Sequence, residues 1–239
     1  AQCATHPRAG HPPIVNPQSA RMCYTTAASG DPFAQMSGPC DVLIPVKNTP
    51  WWLALCLEEL FRHAGSGELA SVLVIDDGSD DDLRPALAAI CAQYPAVKLL
   101  RNEGRRGFGG AINFGMRHAS APHALLLNTD CLITPGTIRK LLAACAADAA
   151  IGLACPLSNN SPVLTLPLPP GRSYLEVNAL LERAAANLPP SEIALDCCTV
   201  GGNCLLITRP CWEKTGEFDA VWQQGYGEES DYQMRALER

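Results

Sequence analysis

Three short acidic clusters stand where they could do chemistry. The first ends in Asp130, the last residue of Asn128-Thr129-Asp130, which follows three consecutive leucines in HALLLNTD (123–130). An apolar run without alternation reads as a strand buried on both faces of a parallel sheet. The polar stop and Pro135-Gly136 beyond it favour strand over helix. Ligands of such sheets bind beyond the carboxyl ends of the strands. Asp130 is thus placed to offer a hard oxygen to Mg²⁺ or Mn²⁺, cations that usually share their coordination with phosphate. The plainer alternative is that Asp130 caps the following helix.

The second cluster is VIDDGS (74–79). A carboxylate just past a parallel strand can accept from a ribose hydroxyl or a base N–H, and Gly78 lets the backbone turn sharply beneath Asp76 and Asp77. Helix-dipole complementarity explains the next three aspartates, and would serve for these two as well. The third cluster is GYGEESDYQMR (225–235). Glu228 and Asp231 share a helix face, while Glu229 points elsewhere. The dipole of a first helical turn favours ionised carboxylates there, and an ionised carboxylate is what a general base for an alcohol requires. A solvated acidic helix start is the competing explanation. Between these clusters, NEGRRGFGGAIN (102–113) offers glycines for close backbone approach and Arg105 and Arg106 for phosphate. As a dinucleotide fingerprint it is misplaced, because it follows the third strand of the unit and not the first.

The elements that must position these residues alternate regularly. Strands are expected at 41–46 (DVLIPV), 71–75, 97–100, 123–127 and 151–155. Helices are expected at 51–63 behind Pro50, and at 83–94, 107–118 and 137–147. This alternation predicts an α/β fold: a doubly wound, mostly parallel Rossmann-like sheet flanked by helices. Beyond it, 158–171 is a Pro- and Asn-rich loop of the kind that is usually functional. A helix over 173–187 opens with a Ser173/Glu176 capping box. Strands at 195–200 and 204–208 flank Gly201-Gly202, and helices at 210–215 and 228–239 follow. Residues 1–39, with several prolines and no period, read as a tail or linker. The 40–239 stretch is then a single domain.

Composition narrows the function. A net charge of −6 argues against a nucleic-acid surface. No apolar run approaches the ~20 residues of a membrane span, since the best candidate, 141–155, contains Asp148. No signal peptide is apparent. Starting without Met and stopping inside the helical pattern MRALER, the chain is expected to be a fragment at both ends. Its twelve cysteines lie scattered in apolar segments with no CxxC pair. They read as buried reduced thiols, which favours a cytoplasmic protein.

In their order and combination, DVLIPVKN, VIDDGS, the 102–113 segment, NTD, GGNCLLITR and GYGEESD resemble the family-2 glycosyltransferases of GT-A fold. The NTD and GYGEE forms look most like the bacterial rhamnosyltransferase kind. The resemblance covers 40–239. It implies that Pro45 and Val46 line a nucleotide pocket, that Asp77 binds the base with Asp76 and Gly78 beside it, and that Asn102, Arg106, Gly109 and Asn113 border the nucleotide and diphosphate. Asn128 and Thr129 would adjoin Asp130, which matches the last acid of the family's metal-binding Asp-x-Asp. Glu228-Glu229 match its Glu-Asp pair, implying Glu229 as catalytic base with Glu228 and Asp231 in support. Gly201, Gly202 and Tyr226 would border the acceptor or donor sugar.

The implied reaction is metal-assisted, inverting transfer from a UDP- or dTDP-linked sugar to an acceptor hydroxyl on a glycan or lipid-linked saccharide. The implied cofactor is Mg²⁺ or Mn²⁺. The implied setting is cell-wall or polysaccharide synthesis in the cytoplasm, with room for peripheral association at the inner face of the membrane. Two positions depart from the family pattern. Asn128 replaces the commoner first Asp, and Glu229 is one methylene longer than the commoner Asp. A downstream histidine that often completes metal binding would lie past Arg239. A non-catalytic nucleotide-sugar-binding module is the main alternative. A sugar nucleotidyltransferase is disfavoured, because PVKNTPWW after the first strand is not a glycine-rich basic loop.

Overall fold

A computed structural model of the chain describes residues 22–23, 38–161, 165–185, 199, 201–222 and 227–239. Its centre is a seven-stranded sheet of order β1-β6-β7-β5-β2-β3-β4. These strands are β1 (Met22–Cys23), β2 (Cys40–Val46), β3 (Leu69–Asp76), β4 (Val97–Arg101), β5 (His123–Leu127), β6 (Leu153–Ala154) and β7 (Cys204–Thr208). The helices are α1 (Pro50–His63), α2 (Arg84–Cys91), α3 (Gly107–Met116), α4 (Thr137–Ala147), α5 (Tyr174–Ala185), α6 (Arg209–Thr215) and α7 (Glu228–Leu237), with a 3₁₀ turn at Ala220–Trp222.

The continuous apolar runs sit where burial on both faces demands them. All five residues of β5 and all five of β7 are buried. Alternate side chains divide the core into two layers. Val42, Ile44, Val72, Val74, Leu125 and Leu206 pack with Leu53 and Leu57 of α1, Leu87 of α2 and Leu141 of α4. Leu43, Leu73, Ile75, Leu126 and Leu205 face the other way, onto Ile112 and Met116 of α3 and Tyr232 and Ala236 of α7. Burying each such side chain contributes roughly 1.5–3 kcal/mol, which makes β2, β3 and β5 a rigid floor for the loops at their ends.

The sheet is mostly parallel, with one exception. β2, β3, β4 and β5 run together, and β1 is parallel to β6. β7 lies antiparallel between β5 and β6. Helix α2 ends at Cys91, short of the expected residue 94. Pro95 disfavours helix at Tyr94, and the chain closes in tight turns through Gln93 N–Ile90 O and Tyr94 N–Cys91 O. The expected 151–155 strand contracts to Leu153–Ala154. Within the expected tail, Met22–Cys23 adds an edge strand to the sheet. The Ser173/Glu176 capping box forms: Ser173 N donates to Glu176 Oε2 at 2.8 Å, and Glu176 N to Ser173 Oγ at 3.2 Å. Most of the expected 195–200 strand lies outside the described residues.

Candidate active site

Because β2 through β5 are parallel, Val46, Asp76, Arg101 and Leu127 all finish at one edge. The antiparallel β7 starts at that edge. The chain steps from β2 through β3 to β4 on one side and then places β5 on the other side of β2. The crevice between β2 and β5 is therefore a topological switch point, where α/β sheets bind ligands. The PVKN turn flanks it on one side and Asn128-Thr129-Asp130 on the other.

On the β2–β3 side the acidic pair is turned inward and braces the loops. Asp76 is 2% exposed. It accepts from Ser79 N at 2.8 Å and is paired with the Arg101 guanidinium. Asp77 accepts three hydrogen bonds, from Asn102 Nδ2 at 2.9 Å, Arg106 N at 2.8 Å and Gly107 N at 2.9 Å. Two amides at the start of α3, in the glycine-rich turn expected to approach a ligand closely, are thus filled by the protein's own carboxylate. Of roughly four acceptor positions on an ionised carboxylate, Asp77 keeps one, on Oδ2. Gly78 adopts φ 75° and passes so close to the Gly104-Arg105 backbone that a Cβ would lie 3.0 Å from Arg105 N. Val46 points its side chain into the core and reaches the edge only through its carbonyl, which accepts from Asp77 N. Pro45 is half-buried beside it.

The β5 side is different. Asp130 is exposed, Asn128 and Thr129 are half-buried, and Asp130 has no ion pair among the described residues. The loop is tied down from behind: Asn128 N donates to Asn203 O at 2.9 Å, and Asn128 O accepts from Cys131 N at 3.1 Å and Cys56 Sγ at 3.6 Å. Cys40, Cys56, Cys91, Cys131, Cys145, Cys155, Cys204 and Cys211 are free thiols. Burial pushes the Cys40 thiol up to about 12.

Gly202 connects this loop to α7. A Cβ on it would lie 3.0 Å from Cβ and Cγ of Glu229 and 3.2 Å from Glu229 Oε1, so the base candidate lies directly on the bare glycine. The helix carrying it is fixed by aromatic packing, with the Phe218 and Tyr232 rings stacked at 4.4 Å and Trp212 on Tyr232 at 5.9 Å. Asn113 clamps the same segment from α3: its Nδ2 donates to Phe218 O and its Oδ1 accepts from Phe218 N, both at 2.9 Å. Asp231 is turned to Arg235 at 2.9 Å, which makes it a helix brace and leaves Glu228 and Glu229 at the edge. Burial pushes the Glu228 carboxyl up, and the neighbouring Glu229 adds to the push. That runs against the dipole effect expected for this turn. Tyr226 lies outside the described residues.

A cavity of about 270 Å³ opens between α3 and the 217–222 segment. Arg106, Gly109 and Asn113 line it together with Glu228, and Asp219 and Trp222 join them. Asp219 and Trp222 carry no signal in the sequence. Neither belongs to a periodic run or a motif, and only packing brings them beside Glu228.

A family model described as Glycosyl transferase family 2 matches residues 41–192. The chain is 26% identical over 106 residues to the glycosyltransferase GlyG of Streptococcus pneumoniae, a match spanning 44% of this chain and 35% of that protein. It is 29% identical over 104 residues to a putative polypeptide N-acetylgalactosaminyltransferase 9 of Drosophila melanogaster, spanning 43% of this chain and 16% of that one. The chain therefore covers about a third or less of the curated relatives it matches. Among solved structures it resembles the Pyrobaculum calidifontis mannosyltransferase PcManGT in complex with GDP-Man and Mn²⁺, with a TM-score of 0.61 and 19% identity, over 87% of this chain and 53% of that one. It also resembles GalNAc-T7 with UDP, GalNAc and Mn²⁺, with a TM-score of 0.65 and 17% identity, over 85% and 41%. These likenesses establish a GT-A fold, and the family match establishes that the chain belongs to glycosyl transferase family 2.

Proposed function

We propose that this domain transfers a sugar, with inversion, from a UDP- or dTDP-linked donor to a hydroxyl of a glycan or lipid-linked saccharide. One observation carries the reading. At the β2/β5 crevice Asp130, a carboxylate without a partner among the described residues, stands at the same sheet edge as Glu229, which the Gly202-Asn203 link ties to the Asn128 loop.

The residues suit a divalent cation shared with the substrate. Among the described residues no group of three acidic, His or Cys side chains could enclose a metal. Mg²⁺-type sites commonly use one or two carboxylates and take their remaining oxygens from phosphates and water, which is what Asp130 offers. When bound there, Mg²⁺ or Mn²⁺ would neutralise charge on the departing diphosphate. Two structural neighbours were solved with Mn²⁺. Asp77, with one acceptor position left, matches the single ring N–H of uracil or thymine, and Asn102 holds that carboxylate in place. Glu229 takes the proton from the acceptor hydroxyl as its oxygen attacks the anomeric carbon from the face opposite the nucleotide. Asn128 and Thr129 shape the donor side of the crevice, Gly201 and Gly202 the side toward α7.

Hexosyl or rhamnosyl transfer in cell-wall or polysaccharide synthesis is the finer reading supported by the NTD and GYGEE forms. No helix among the described residues is long and apolar enough to cross a membrane. Trp51, Trp52 and Leu55 are exposed at the start of α1, a patch suited to peripheral contact with lipid. The test is nucleotide release from a panel of UDP-, dTDP- and GDP-sugars. Glu229→Gln should lower turnover by roughly 10²–10⁴, the worth of a general base, with nucleotide affinity retained. Undiminished turnover in that variant would remove Glu229 from the mechanism.

A further inference from the structure

We propose that Cys131 and Cys204 form a peroxide-sensitive dithiol, whose disulfide fastens the loop carrying Asp130 to the start of β7. The modification does not depend on the transferase reading, although it falls on the residue that follows the proposed metal ligand.

Distant segments of the chain bring thiols together behind this loop. Antiparallel pairing sets Leu127, the last residue of β5, opposite Cys204, the first of β7. The pairing runs one step past the strand, with Asn128 N donating to Asn203 O at 2.9 Å. The loop then turns back on itself, since Cys131 N donates to Asn128 O at 3.1 Å. That turn carries Cys131 over the beginning of β7. Its sulfur accepts from Asn203 Nδ2 at 3.9 Å, and the Cys204 thiol is in hydrogen-bonding contact with it. From α1, Cys56 Sγ donates to the same Asn128 carbonyl at 3.6 Å. The sheet fixes the β7 half of the pair. The other half sits on a loop, which can settle to the ~4.4–6.8 Å between Cα atoms that a disulfide requires.

Exposure gives the sulfurs different tasks. Cys131 is half-buried, whereas Cys204 is 2% exposed and Cys56 1%. An oxidant from solvent therefore meets Cys131 first. Hydrogen peroxide converts that thiol to a sulfenic acid and releases one water. Cys204 Sγ then attacks the sulfenic sulfur, the S–O bond breaks, and the hydroxyl leaves with the thiol proton as a second water. In sum, two thiols and one peroxide give one disulfide and two waters: both sulfurs are oxidised and both peroxide oxygens reduced. Cys56 is engaged with the Asn128 carbonyl and Cys204 with Cys131 itself, which makes Cys204 the resolving thiol. Cys211 provides the contrast. It too is half-buried, but its sulfur faces Thr215 Oγ1 at 3.8 Å, and a hydroxyl cannot close a disulfide.

The experiment treats the full wild-type chain, reduced and then freed of reductant, with hydrogen peroxide. Remaining thiols are blocked with iodoacetamide, and tandem mass spectrometry locates any disulfide. The expected product has lost two hydrogens and carries a Cys131–Cys204 bond that dithiothreitol reverses. Backbone amide exchange over 128–131 should slow severalfold in the oxidised form and recover on reduction. Cys131→Ser, a near-isosteric change at a half-buried position, should melt as wild type does and show no peroxide effect on that exchange. A bond from Cys131 to any other cysteine, a Cys131 that stays reduced or ends as sulfinic acid, or loop exchange unchanged by the bond would overturn the assignment. No readout involves a nucleotide, so failure here leaves the transferase reading standing, and failure of nucleotide binding leaves this result standing.

Discussion

Asp77→Ala should destabilise the domain by about 3 kcal/mol, and the figure follows from its three donors. Asn102 Nδ2, Arg106 N and Gly107 N all end on the Asp77 carboxylate at 2.8–2.9 Å, and the residue is only 6% exposed. Leaving a buried donor unsatisfied costs about 1–3 kcal/mol, and losing a helix-capping acid alone costs about 0.5–2 kcal/mol. Arg106 is exposed, so water entering the space left by the carboxylate would rescue part of the loss, which sets the estimate near the low end of ~1 kcal/mol per donor. For a domain of this size, ~2–4 °C of melting temperature is lost per kcal/mol, giving a fall of about 6–12 °C. Asp77→Asn should lie between, because an amide keeps one oxygen but turns an N–H₂ toward a donor. Asp82→Ala, on an exposed residue, should stay within about 0.5 kcal/mol. The assay is urea denaturation followed by circular dichroism, with the melting scan beside it. If Asp77→Ala melts within ~1 °C of wild type, on the same scale, Asp77 does not cap α3 and its carboxylate is wholly free for ligand.

Two further predictions come from the same edge. Gly202→Ala places a methyl 3.0 Å from Cβ and Cγ of Glu229, so Glu229 must shift; turnover should fall at least roughly tenfold, since a misplacement of about 1 Å can cost 10²-fold, with thermal stability much less affected. Glu228 gives a pH signature. Its folded-state pKa is raised by burial, so the stability it contributes is complete below the ordinary glutamate value of ~4.3 and is lost as pH rises through the raised value. Glu228→Gln should therefore be at least as stable as wild type at neutral pH and should lose that advantage in acid. A variant less stable at pH 7 than at pH 4, relative to wild type, would show that the ionised form is the one the fold favours.

Much of the scaffold was legible because it obeys local rules. The unbroken apolar runs of β5 and β7 and the boundaries of α4 lie where pattern and turn residues place them. What the sequence did not show depends on relations between distant segments. The antiparallel direction of β7 is set by how the excursion between β6 and β7 returns, which no local period records. The pairing of Met22–Cys23 with β6 lies in a stretch with no strand pattern at all. The candidate site divides in the same way. Asp130 follows β5 at the sheet edge, and Glu229 packs on Gly202 just before β7. Asp76, Asp77, Asn113 and Asp231 proved to have structural partners, Arg101, the α3 amides, the Phe218 backbone and Arg235. A motif specifies that an acid is present and leaves open whether its oxygens face ligand or protein. Trp222 and Asp219 enter the cavity only because the Phe218–Tyr232 stack folds their segment against α3.

The most direct measurement is calorimetric titration of UDP, dTDP and GDP into the wild-type chain and into Asp130→Ala, each with and without Mn²⁺. One nucleotide should bind wild type far more tightly with Mn²⁺ than without it. That metal dependence should vanish in the variant while its thermal stability stays within about 0.5 kcal/mol of wild type, as expected for an exposed side chain. Binding that is indifferent to Mn²⁺, or a variant that keeps the full metal dependence, would contradict a metal-assisted donor site at Asp130.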